Sequence, residues 1–193
     1  MQLSKLISKV VKEFKEKEFD QYYHTVVEDF RHIKAHFPLL NLTLLPTIVP
    51  MEMYISGRLI PKEMLDKCKG AYQIDKFSIE IVVVYPQEFP AKQIEVIDYK
   101  GKIQWDKVPI QHTHVNTWRD VEVLCTHHPN GEINALESEK RTTAILKTSW
   151  NLYQACGRYL RTGEWELKDL KHGSEAIPQL KDMGQYYKTA KST

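Results

Sequence analysis

The chain has 193 residues, 42% of them hydrophobic and 27% charged, with a formal net charge of +2 at pH 7. That balance allows one sizeable core but excludes the clustered basic face of a nucleic-acid or membrane-surface binder, and no apolar run approaches the ~18 residues that span a bilayer. Three irregularly spaced cysteines, Cys68, Cys125 and Cys156, form no disulfide framework, and "MQLSKLISKVVKEFKEKEFD" lacks the apolar centre and cleavage site of a signal peptide. A soluble, cytoplasmic protein is expected, with no nucleic acid and no membrane among its partners.

Helical periodicity dominates from about Leu3 to Phe37. Leu3, Leu6, Ile7, Val10, Val11 and Phe14 recur at helical spacing, as do Tyr23, Val26, Val27, Phe30 and Ile33. A break near Phe19-Asp20 is expected to divide the region into two helices, and Pro38 ends it. The chain then becomes β-branched and aromatic. "TIVPMEMYISGRLI", "YQIDKFSIEIVVVYP" and "QIEVIDY" read as strands, with "KIQW" as the fourth. Gly57, Gly70 and Gly101 mark short turns, which implies an antiparallel meander. "YPQEFPAKQ" cannot continue a strand, because Pro86 and Pro90 remove ladder donors, so a rigid, extended elbow is expected there.

Beyond Ala135, Ile145, Ser149, Leu152, Cys156 and Tyr159 or Leu160 share one helical face, and Gly163 is a natural stop. The stretch from Leu167 to Thr193 is weakly patterned, a short helix or a docking segment. Helices and strands are segregated rather than alternating, so the fold class is α+β. Three segments follow: an N-terminal helical extension over 1–18, a central domain over 19–166 and a tail over 167–193.

Between sheet and C-terminal helix lies "HTHVNTWRDVEVLCTHHPNG", and its residues leave three readings open. His112, His114, Cys125, His127 and His128 are competent zinc ligands, and a strand would set His112 and His114 on one face. The spacings of the familiar zinc motifs are missing, however: there is no CxxC and no HExxH. As a nucleophile, Cys125 stands half exposed at the lip of the apolar run "VEVL", its sulfur facing a polar loop, a setting in which a thiolate can attack. The plain alternative makes it a small hydrophobe packed with Val121, Val123 and Leu124. Cys156, on an apolar helix face, is core, and Cys68 sits in a turn. A cysteine peptidase fits poorly, since its histidine is normally remote in sequence.

The order of "VVVYPQEFP", then "HVN", then "VLCT" resembles the ubiquitin-conjugating enzymes and their bacterial relatives. The resemblance implies a UBC-like fold: N-terminal helix, four-stranded antiparallel meander, active-site loop and C-terminal helix. Tyr85, Pro86 and Pro90 match the family's flap. His114, Val115 and Asn116 match its HPN tripeptide, with valine for proline, and Cys125 matches the nucleophile. The literal HPN at His128 to Asn130 follows the cysteine and is ordinary turn chemistry. The family's tryptophan shortly after the cysteine is replaced by "HHPNGEINALE", which leaves Glu132 and Glu137 as the carboxylates available to an attacking lysine.

"YLRTGEW" is similar to the free-standing conjugating proteins of bacterial type II CBASS antiphage operons. That likeness implies a thioester between Cys125 and the C-terminus of a CD-NTase, a synthase of cyclic-nucleotide alarms. An operon that conjugates a ubiquitin-like protein is the alternative. Asn116 would act as oxyanion or loop donor, His114 as loop organiser, and no cofactor or metal is implied. Two other uses stay open: a non-catalytic scaffold of the same fold, or a zinc-binding domain built from the histidines. The N-terminal extension would offer a surface for a homodimer or another partner.

Overall fold

The computed structural model describes residues 3–44, 53–108, 113–116, 121–126, 133 and 136–165. A long helix α1 (Leu3–His36) leads into strands β1 (Leu40–Leu44) and β2 (Met53–Leu59). Two short helices follow, α2 (Lys62–Leu65) and α3 (Ala71–Phe77), then β3 (Ile79–Tyr85) and β4 (Glu95–Asp98). After a 3-10 turn at Trp105–Lys107 come β5 (Thr113–Asn116), β6 (Val121–Leu124) and the second long helix, α4 (Ser138–Thr162). Strands β1 to β4 make one antiparallel sheet in sequence order, whereas β5 and β6 form a separate two-stranded sheet whose β6 lies beside β4. The α+β class and the four-stranded meander hold.

Alternation explains which face of the sheet is covered. Met53, Ile55 and Leu59 of β2 and Ile79, Ile81, Val83 and Tyr85 of β3 are buried at period two. They share one cluster with Tyr22, Val26, Ile33 and Phe37 of α1 and with Ile145, Leu146, Leu152 and Cys156 of α4. Each fully buried Ile or Leu contributes roughly 1.5–3 kcal/mol relative to exposure, so this shared layer fixes both helices on the sheet.

Several expectations are corrected. Helix α1 runs unbroken through Phe19-Asp20, because "KEFKEKEFD" contains only tolerated or strong helix formers and neither Gly nor Pro. The first strand of the meander is "LNLTL", and "KIQW" is not the fourth: Ile103 N–H instead donates to Asp98 Oδ2 at 2.8 Å, and a 3-10 turn follows. Gly57 is not a turn residue but the middle of β2, opposite Leu40. The elbow after Tyr85 is a compact turn rather than extended: Phe89 N–H donates to Pro86 O at 2.9 Å and Lys92 N–H to Glu88 O at 3.0 Å, around a cis Phe89–Pro90 peptide.

"YQIDKF" is helix α3, not the start of a strand, and the reason is tertiary. Its end is met by side chains from elsewhere. Phe77 O accepts from Trp150 Nε1 (2.8 Å) and Gln154 Nε2 (3.1 Å), and Lys76 O from Tyr153 OH (3.1 Å). Lys102 Nζ reaches both Asp75 O and Ser78 O at 2.6 Å. The carbonyls a short helix leaves unsatisfied thus find partners on α4 and after β4.

Helix α4 meets its expectation. Ile145, Ser149, Leu152 and Cys156 are buried, and Gly163 closes the helix at φ +74°, its N–H donating to Tyr159 O at 2.7 Å. Of the two candidates for the last apolar position, Tyr159 packs edge-on against Trp165, whereas Leu160 is 44% exposed. No helix among the described residues is long and apolar enough to cross a membrane. The tail 167–193 lies outside the described residues.

Candidate active site

Strands β5 and β6 pair with the register Thr113↔Leu124, His114↔Val123, Val115↔Glu122 and Asn116↔Val121. The HVN tripeptide therefore belongs to a strand, not to a loop. Cys125 is the first residue after β6, half-buried, behind the buried pair Val123 and Leu124. Two successive buried residues mean that both faces of β6 are covered, and Leu124 joins the main core. The cysteine thus leaves a strand whose position the core fixes. Burial pushes its thiol above the ordinary cysteine value.

The register sorts the two proposed helpers. His114 stands level with Val123, two residues before the cysteine, and Asn116 stands level with Val121, four residues before it. At ~3.3 Å per residue, the backbone of Asn116 is offset from Cys125 by about 13 Å along the strand, and that of His114 by about half as much. In backbone register His114 is the nearer of the two to Cys125, and Asn116 lies at the far end of the hairpin.

Tyr85, matched to the flap, closes β3 and is wholly buried. Its OH donates to Asp29 Oδ2 of α1 at 2.5 Å, and its carbonyl accepts from Tyr22 OH at 2.8 Å. Tyr22 OH in turn accepts from Met53 N–H at 2.8 Å. Phe89 packs edge-on against Tyr85, with ring centres 4.8 Å apart. Burial, with the Asp29 carboxylate, raises the Tyr85 phenol well above its ordinary value, so it stays protonated as a donor at neutral pH. Pro86 is half-buried and Pro90 exposed. The Pro90 carbonyl accepts from Arg141 of α4 at 3.1 Å; partial burial lowers the Arg141 pKa and the Asp29 charge opposes that. The turn after β3 is thereby tied to both long helices.

Sequence reasoning missed Asp29, Tyr22 and Arg141. A signal existed for the first two: Tyr22, Val26, Asp29, Ile33 and Phe37 form one helical stripe, and a carboxylate in such a stripe needs a buried donor. Tyr85→Phe removes that donor and should cost about 2 kcal/mol, read as a lower urea midpoint.

The remaining candidates are scattered. Glu137 precedes α4, is exposed and pairs with Lys140 at 3.2 Å. Cys68 lies half-buried after α2, its Sγ 3.4 Å from Met64 O. Cys156 is core, its thiol pushed up to about 11 by burial. The folded state therefore holds that proton, and the stability this contributes is complete below the ordinary thiol value and lost as pH rises toward 11. Urea midpoints at pH 8 and pH 10.5 should fall more for the wild type than for Cys156→Ala.

None of the three cysteines is in a disulfide. Among the described residues, no group of three or more His, Cys, Asp and Glu side chains could hold a metal ion. His112, His127, His128 and Glu132 lie outside the described residues. The observed class is an α+β protein with a four-stranded antiparallel meander and a cysteine at the exit of a satellite hairpin. No family model, curated protein or solved structure matches the chain.

Proposed function

We propose that the chain is a ubiquitin-conjugating-enzyme-like acyltransferase with Cys125 as its nucleophile. The observation that carries this reading is the position of Cys125: half-buried, at the end of a core-anchored strand, between a four-stranded meander and a long C-terminal helix. That is the order the resemblance to the UBC fold implies. In the first step the Cys125 thiolate attacks a partner's C-terminal carboxyl, activated as an adenylate at the expense of ATP by a separate activating protein, and AMP leaves. In the second, an amine attacks the thioester carbonyl, an amide forms and the thiolate departs.

Negative charge develops on the carbonyl oxygen in that second step, and one well-placed donor is worth ~2.7–4 kcal/mol there. His114 stands nearer in register than Asn116, so His114 is the first candidate for that contact and Asn116 for ordering the hairpin end. Tyr85, Pro86 and Pro90 hold the flap through the Asp29 and Arg141 contacts. The partner is a CD-NTase of a CBASS-type antiphage system, or else a ubiquitin-like protein; the reaction calls for no cofactor in this chain.

One observation favours a second reading. Burial raises the Cys125 thiol, whereas attack needs the thiolate. A scaffold of the same fold would bind the partner without transfer. Co-expression with the proteins encoded beside it separates the two. The enzyme reading expects an adduct that thiol reductant cleaves at neutral pH; a tight complex with no adduct supports the scaffold.

A further inference from the structure

We propose that His32 and His36 form a two-ligand site for a divalent ion of the nickel–copper–zinc class at the C-terminal end of α1. The inference is independent of the chemistry at Cys125. The two residues are one turn apart, and residues at that spacing share a helix face. Their rings are already adjacent, with centres 5.3 Å apart and planes at 61°. A metal–nitrogen bond of ~2.1 Å sets each ring centre about 3 Å from the ion, so two rings sharing one ion lie ~4.5–5.5 Å apart. The observed separation falls in that range, and both side chains are half-exposed.

The surroundings suit a cation. His36 is the last residue of α1, where the helix dipole presents its negative end. The two cationic side chains lying between or next to the pair in sequence are engaged elsewhere. Arg31 pairs with Glu28, and Lys34 donates to Leu40 O at 2.5 Å while lying over the Phe30 ring at 5.9 Å. Two imidazoles select Ni2+, Cu2+ or Zn2+ over Mg2+ or Ca2+, which prefer oxygen ligands. With no third protein ligand among the described residues, the ion keeps open positions for water or an incoming donor and exchanges readily.

Site-resolved modification tests this on the full chain. Diethylpyrocarbonate labelling is followed residue by residue by peptide mass spectrometry, with and without Ni2+ as the probe. Ni2+ should slow labelling of His32 and His36 about tenfold or more, leave His24 unchanged, and lose its effect at His36 in His32→Ala; Mg2+ should protect neither. Equal labelling with and without Ni2+, or protection of His36 that survives His32→Ala, overturns the site. Circular dichroism of His32→Ala confirms that the helix persists, and His36→Gln gives an independent second variant.

Discussion

On the conjugating-enzyme reading, Cys125→Ala is expected to remove all covalent transfer and to leave the protein folded. The sulfur is the only atom at that position able to carry an acyl group, so no slower route through the same intermediate remains. The structural cost is small, because the residue lies beyond the end of β6 and is only half-buried, so its truncation should cost no more than about 1 kcal/mol. The comparison that gives the result meaning is Cys156→Ala. Cys156 is 2% exposed within the α4 core layer. Its truncation should leave a cavity costing about 1–2 kcal/mol, while the same reading expects transfer to persist. Opposite outcomes at the two cysteines, read by intact mass and thermal melting, separate chemistry from packing.

The largest structural effect belongs to Gly57→Ala. Gly57 lies in the middle of β2 at φ +139°, a conformation that side chains rarely adopt. A Cβ there would overlap the Leu39 carbonyl oxygen and come within 3.2 Å of Leu40 Cα. Both neighbours are backbone at the start of β1, so relief requires moving the strand itself. Backbone strain and overpacking each cost about 1–3 kcal/mol, which gives about 3 kcal/mol in all. For a chain of this size the melting temperature should fall by roughly 6–12 °C. Gly101→Ala is the control: its φ is +60°, but no atom lies within 4 Å of the added Cβ, so only about 1 kcal/mol of strain is expected.

Those two glycines show where sequence reading succeeds and where it stops. Helix α4 was legible because its apolar face is continuous from Ile145 to Cys156 and Gly163 supplies a stop. Strands β3 and β4 were legible from "IEIVVVY" and "EVID". Gly57 was misread as a turn because a glycine forced by the close approach of a neighbouring strand looks the same in one dimension. "YQIDKF" has β-rich composition, and only Trp150, Tyr153, Gln154 and Lys102, distant in sequence, make it a helix. In the site, the cysteine at the end of "VEVL" was readable from the polarity switch, whereas the offset between Asn116 and Cys125 depends on hairpin register, which turn residues alone do not reveal. Asp29 escaped because its partner Tyr85 lies fifty-six residues away.

The most direct test of the central claim replaces a labile bond by a stable one. Cys125→Lys is co-expressed with the proteins encoded beside it, and the complex is examined by intact mass. The account predicts an amide-linked species weighing both chains minus one water, absent from a parallel Cys125→Ala preparation. A tight complex containing only the two unmodified chains would contradict it and make the protein a scaffold.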